Sequence, residues 1–220
     1  MALSKFEYNS FDVTPVASNA FAFNSTPNGL TTAAAGAMNL IKTTTASGVA
    51  NVDLTHGSND VVLDGTYDTY LFKFINIHPS SNAVEFKVNF RDGGSNFDAT
   101  KTTTNFMAYH QESGSSTSLE YRGGDDLAQS TGDQTLGDNL GDDADASLSG
   151  YMYLFNPSST TFVKHFIAQT TFMEQDSTPY SMNSFTGGYC NVTAAIDGVT
   201  FKMNSGNIDS GVIKMYGITK

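Results

Sequence analysis

The stretch from Tyr67 to Phe90 constrains this chain more than any other. Tyr70, Phe72 and Phe74 alternate with Leu71 and Lys73, Ile75-Asn76-Ile77 follows, and His78-Pro79 breaks the run. Beyond the break, Phe86, Val88 and Phe90 alternate with Glu85, Lys87 and Asn89. Successive side chains of a strand point to opposite faces, so a period of two means one buried face and one wet face. The stretch predicts an antiparallel sheet, a framework that presents surfaces and brings no reaction machinery of its own.

The same texture recurs along the chain. Strands are expected at 40–45, 49–54, 61–63, 105–111, 151–155, 162–171, 188–196, 199–203 and 212–218, with Pro-, Gly- and Asn-rich breaks between them. Arg91-Asp92-Gly93-Gly94-Ser95 reads as a hairpin, because glycine takes the positive φ that tight turns need. No segment sustains an i, i+3, i+4 pattern; the nearest, Ala33 to Asn39, is short and contains Gly36. Many short strands with polar turns predict an all-β fold, an antiparallel β-sandwich of the jelly-roll type.

Two segments depart from this texture. In residues 1–38, Phe6, Tyr8, Phe11, Phe21 and Phe23 are scattered without period, and low-complexity runs follow at 24–29 and 31–36. This reads as an extended N-terminal arm with one short strand, its aromatic residues lying on a neighbour or on the flank of the domain formed by 39–220. Residues 122–149 carry seven aspartates (Asp125, Asp126, Asp133, Asp138, Asp142, Asp143, Asp145), five glycines and no base after Arg122. So acidic a segment, poor in apolar residues, is expected to be an exposed loop inserted in the domain.

Bulk properties exclude several functions. The 220 residues suit one large all-β domain, or a domain plus an arm, and no run reaches the roughly 18–20 apolar residues of a membrane-spanning helix. The first residues lack the apolar stretch of a signal peptide, so export by that route is not expected. With 22 acids against 11 bases the net charge is −11, which disfavours nucleic acid and anionic membranes as partners. A single cysteine, Cys190, excludes an internal disulfide and reads as a small buried strand residue.

No constellation for chemistry stands out. Asp138 to Asp145 resembles a calcium loop in its oxygen content, but the sixth position from Asp138 is Asp143 rather than Gly and the twelfth is Ser149 rather than Glu. A looser site from two or three of these carboxylates is the alternative to a solvated loop. His56, His78, His110 and His165 lack zinc-site spacing. There is no Gly-x-Ser-x-Gly elbow, and Asp92-Gly93-Gly94-Ser95 lacks the lysine and helix of a phosphate loop. Glu7, Glu85, Glu112, Glu120 and Glu174 single out no glycosidase pair. The expectation is a non-enzyme with no catalytic, cofactor or metal residues. Tyr121, Tyr180, Asn183 and Tyr189 are expected on loops, either touching a glycan or protein or packing at edges.

Six stretches carry a resemblance: Leu40-Ile-Lys-Thr-Thr-Thr-Ala-Ser47, Tyr70-Leu-Phe-Lys-Phe-Ile-Asn-Ile-His-Pro79, Asp92-Gly-Gly-Ser-Asn-Phe97, Thr102-Thr-Thr-Asn-Phe-Met-Ala-Tyr109, Tyr153-Leu-Phe-Asn-Pro-Ser-Ser159 and Ile213-Lys-Met-Tyr-Gly-Ile218. Together, in order and spacing, they resemble a family of virion structural proteins of tailed phages, especially marine ones, over residues 40–218. The resemblance implies a non-enzymatic β-sandwich on the particle surface, with no catalytic residues to carry over. The expected role is a capsid decoration or cement protein, a homotrimer fastened through residues 1–38 to the major capsid protein or to neck or tail proteins. It would be found in the virion after assembly in the host cytoplasm. The alternative is a tail-fibre or appendage module that binds host-surface glycan through loops such as 113–149.

Overall fold

The computed structural model describes residues 20–23, 30–33, 37–174 and 178–218. The chain falls into two compact units, residues 1–37 and 38–220. In the first, β1 (Ala20–Phe23) pairs antiparallel with β2 (Leu30–Ala33), so two short strands stand where the sequence predicts one. Phe6, Tyr8 and Phe11 lie outside the described residues.

The second unit holds β3 (Met38–Val49), β4 (Asn51–Thr55), β5 (Thr69–Pro79), β6 (Val84–Arg91), β7 (Lys101–Gln111), β8 (Thr117–Tyr121), β9 (Gln134–Leu140), β10 (Leu148–Phe155), β11 (Lys164–Glu174), β12 (Tyr180–Cys190), β13 (Gly198–Met203) and β14 (Ile208–Ile218). Every pairing is antiparallel. No helix occurs among the described residues. The order β3-β14-β5-β10 in one sheet and β4-β13-β6-β9 in the other is that of a jelly roll, the chain crossing between sheets from β3 through β6 and again from β13 to β14. Two excursions widen the first sheet beyond β10. β11 and β12 leave between β10 and β13, β7 and β8 between β6 and β9, and together they add β11-β12-β7-β8. Among the described residues the sheets meet in register only at Glu174 and Leu140.

The predicted alternation builds the core. Tyr70, Phe72 and Phe74 of β5 and Phe86, Val88 and Phe90 of β6 are all buried. Phe201 of β13 is the hub, its ring 5.0 Å from Phe74, 5.6 Å from Phe72 and 6.0 Å from Phe86. Phe90 meets Phe166 of β11 at 4.9 Å across the sandwich. At Asn76 (φ 49°) β5 bulges, and the registers with β10 and β14 both shift. Asparagine tolerates this left-handed conformation, and the extra residue returns Ile77 and Pro79 to the buried side.

Four expectations are corrected. The turn after Arg91 is not a hairpin: β6 pairs with β13 and β9, whereas β7 pairs with β12 and β8. Arg91 donates to both Asp197 oxygens at 2.8 and 2.9 Å, fastening the turn to the chain before β13 and turning it across the sandwich. The strand expected at 188–196 is β12, which ends at Cys190. Residues 61–63 form no strand, although Val61 and Leu63 are buried; there the Tyr70 hydroxyl accepts from Asp64 N–H and donates to Asp64 carbonyl. Within 122–149, β9 is a full strand of the second sheet, with Gln134, Thr135, Leu136 and Leu140 buried. Its apolar content is low because amides and hydroxyls hydrogen-bonded to each other fill part of its place inside.

Candidate functional site

The same alternation that fills the core sends a second set of side chains outward from the eight-stranded first sheet. Of the ten large hydrophobic side chains that stand exposed among the described residues, nine lie on this outer face. Met38 and Leu40 are on β3, Ile75 on β5, Tyr151 and Phe155 on β10, Ile167 on β11, Phe106 on β7, and Leu119 and Tyr121 on β8. The tenth, Phe162, lies in the loop before β11.

Register gathers them into rows. Tyr121, Phe106 and Phe185 sit opposite one another on β8, β7 and β12. Ile167, Tyr153, Leu71, Tyr216 and Leu40 continue across β11, β10, β5, β14 and β3. Leu71 is only 4% exposed although it faces away from the core, because Tyr153 and Tyr216 flank it. A belt of this extent exceeds the isolated apolar residues ordinary on a protein surface.

The rings stand upright. The Phe106 and Phe185 centroids are 4.9 Å apart with planes 6° from parallel. That separation matches the ~4.8 Å between strands, too close for two rings lying flat side by side. They stack face to face and offer their edges to solvent, as a comb does, which suits insertion among protein side chains better than stacking on a sugar ring. Beside them Gly187 leaves a hollow of about 300 Å³ lined by Thr104, Phe106, Tyr151, Ile167 and Phe185.

Charge is sparse on the belt. Lys73 and Lys214 face each other across β5 and β14, with the Lys73 ammonium 5.8 Å from the Tyr216 ring. Glu120 and Glu174 project from the inner side of these strands, and Asp209 lies at the far end of β14 beside His78. The rows of the belt therefore hold no carboxylate on a molecule of charge −11, and Asp126, which accepts from the Tyr121 hydroxyl, borders them at the β8 end.

On the inner side, Arg122 organises the acidic segment. Its Nη1 donates to Glu120 (3.0 Å), its Nε to Asp125 (3.1 Å) and its Nη2 to Asp138 (2.6 Å). Burial and the nearby charge of Asp138 push the Asp125 carboxyl above its ordinary range despite this. Breaking a buried ion pair costs roughly 3–5 kcal/mol, but Arg122 is 32% exposed, so the expected loss in Arg122→Ala is about 2 kcal/mol at pH 7. The three carboxylates would then repel one another and take up protons readily. Urea unfolding should show the gap from wild type narrowing toward pH 4.5, and a gap independent of pH would rule out unpaired carboxylates as its source.

Asp138 is thus held by a guanidinium, and the Asp143 carbonyl accepts from His78 Nε2 at 3.1 Å. Among the described residues no three of His, Cys, Asp and Glu gather as a metal site would require. His56 Nδ1 accepts from Leu63 N–H, while His110 and His165 are exposed on β7 and β11. Cys190 is fully buried between Lys101 and Lys164 on neighbouring strands. Burial pushes its thiol up to about 12, against the pull of the two lysines, so the reactive thiolate is disfavoured.

Tyr121, Tyr180, Asn183 and Tyr189 are on strands β8 and β12 rather than loops. Tyr121 and Asn183 belong to the outer face, whereas Tyr180 packs edge-on against Tyr109 at 5.5 Å on the inner side. There a polar hollow of about 220 Å³ joins Tyr109, Glu120, Arg122, Glu174 and Tyr180. The outer belt went unread in the sequence. Its signal is the strand with apolar residues in both phases: Leu71 and Ile75 beside Tyr70 and Phe72, Tyr151 and Tyr153 beside Met152 and Leu154. Comparison with protein-family models, with curated proteins and with solved structures finds no match.

Proposed function

We propose that this protein is a non-enzymatic structural component of a phage virion, a capsid decoration or cement-type protein. It fastens to the particle through its N-terminal 38 residues and makes protein contacts with the outer face of its first sheet. The observation that carries this reading is the single belt holding nine of the ten large hydrophobics exposed among the described residues, with no carboxylate in its rows and lined by upright rings. Such a face binds by burial, and protein rather than carbohydrate matches its comb of ring edges. The resemblance of residues 40–218 to phage virion proteins supports the location.

Removing residues 1–37 leaves β3 whole. The shortened protein is expected to keep the full chain's unfolding transition and to lose its binding to phage particles purified from a host carrying the gene. Retained binding would overturn attachment through the arm, and full-length protein found on no particle by immunogold labelling would overturn the virion role itself.

One observation favours the second reading, an appendage module for host-surface glycan. The polar hollow with Tyr109, Tyr180, Glu120 and Arg122 has the aromatic and charged groups a sugar requires. Saturable glycan-array binding that Tyr109→Ala removes would favour it over decoration.

A further inference from the structure

We infer that the occupant of the outer face is the same face of a second copy of this chain, packed about a two-fold axis running between β10 and β11. The inference rests on the reading of this face as a docking surface. Eight strands at ~4.8 Å make it about 38 Å wide, and three rows of side chains spaced ~6.8 Å along the strands make it about 20 Å deep. The product, about 760 Å², is close to the ~800 Å² that each partner buries in a stable interface.

Electrostatics selects the second copy. Two chains of charge −11 repel, so contact between copies needs a region poor in carboxylates, and the belt, bordered by Asp126 at its β8 end, is one. Its own charge is polar along the strand order. Lys73 and Lys214 lie toward the β3 end, on β5 and β14. At the other end the Tyr121 hydroxyl donates to the Asp126 carboxylate, beside the upright rings of Phe106 and Phe185.

A two-fold axis between the fourth and fifth strands reverses the order, setting β5 over β12, β14 over β7 and β3 over β8 of the second copy. Each lysine end then meets the end bordered by Asp126, whose carboxylate favours ammonium groups. The geometry pairs copies by twos. In it Ile167 lies beside the axis and the Gly187 hollow receives side chains from the other copy.

Sedimentation of the full chain across the micromolar range should show a species of twice the monomer mass. Ile167→Asp should weaken pairing about tenfold or more, since a charge would be buried at the axis. Ile167 is 48% exposed, so the melting temperature of the diluted variant should stay that of the wild type. Reversing one charge with Lys214→Glu should also weaken pairing, and adding Asp126→Lys should restore it.

A zero-length carbodiimide cross-link between Lys214 and Asp126 is expected. Within one copy these lie on or beside strands six places apart, about 29 Å, so the link joins two copies. A chain monomeric throughout overturns self-pairing, even where particle labelling upholds the virion role. A dimer indifferent to both Ile167→Asp and Lys214→Glu overturns the assignment of this face, and a trimer overturns the two-fold axis.

Discussion

Phe201→Ala is expected to lower the unfolding free energy by about 4 kcal/mol, the largest loss from any single side chain in the sandwich. Phe201 has no exposure and stands where the two sheets are pinned together, edge-on to Phe74, tilted on Phe72 and stacked on Phe86. Removing the ring forfeits its transfer from water and leaves a void bordered by three other rings. Those rings are held on β5 and β6 and cannot collapse far into the gap. Each ring–ring interaction removed adds roughly 0.5–1.5 kcal/mol beyond buried area, which places the effect in the upper part of the usual range. Phe201→Leu retains much of the volume and should cost about half as much. Phe162→Ala, in a residue 69% exposed, should cost little. Urea midpoints at constant slope would test the order, and a Phe201→Ala loss no larger than that of Phe162→Ala would mean the hub does not bear the core.

The second large effect is electrostatic and depends on pH. Lys101 is fully buried on β7, its Nζ donating to the Gly132 carbonyl at 2.6 Å with no carboxylate bonded to it. Burial, only partly opposed by the charges of Asp133 and Asp98, lowers its amine to about 8 from 10.5. Below pH 8 the amine is protonated in folded and unfolded chains alike, and the folded state bears the full penalty of a buried charge. Between about pH 8 and 10.5 the unfolded chain holds a proton that the folded chain has released. Stability attributable to this residue therefore rises with pH across that window, by about 3 kcal/mol in all. Lys101→Met lacks the titration. Its unfolding free energy, subtracted from that of wild type at each pH, should leave a difference climbing in favour of wild type from pH 7.5 to 10.5. A flat difference would mean that the ammonium stays charged in the folded protein.

Much of the sandwich is legible in the sequence because its strands obey the simple rule of apolar residues at every second place. β5, β6 and β13 can be read directly from Tyr70 to Phe74, Phe86 to Phe90 and Val199 to Met203, and β10 as a short apolar run from Tyr151 to Phe155. The widened part of the first sheet and its neighbour β9 obey a different rule. Beside apolar residues such as Phe166, Met182 and Leu136, their buried side chains include Thr103, Asn105, Gln134, Thr170, Ser184 and Thr186. Thr103 donates to Gln134 at 2.5 Å, Gln134 to the Asp125 carbonyl at 2.7 Å, and Asn105 to Thr186 at 3.0 Å. A polar residue satisfied in this way occupies the interior while its letter in the sequence suggests solvent. β9 is missed for this reason and β12 is misplaced, whereas β8 is missed because it is a short edge strand with none of its five side chains buried. The outer belt is hidden by topology instead, since Tyr121, Phe106 and Phe185 become neighbours only once β8, β7 and β12 are ordered side by side, which the linear sequence does not reveal.

The neighbouring positions of β3 and β14 set the timing of folding. Thr43 waits for Lys214, about 170 residues later, before its strand has a partner. At roughly 5–20 residues per second a ribosome takes on the order of 10–30 s to supply it. Throughout that interval the nascent chain displays an unmatched strand edge, the template on which two growing chains can pair wrongly. The sandwich closes only once β14 has been made, and a chain cut short before Ile208 would leave β3 permanently without a mate.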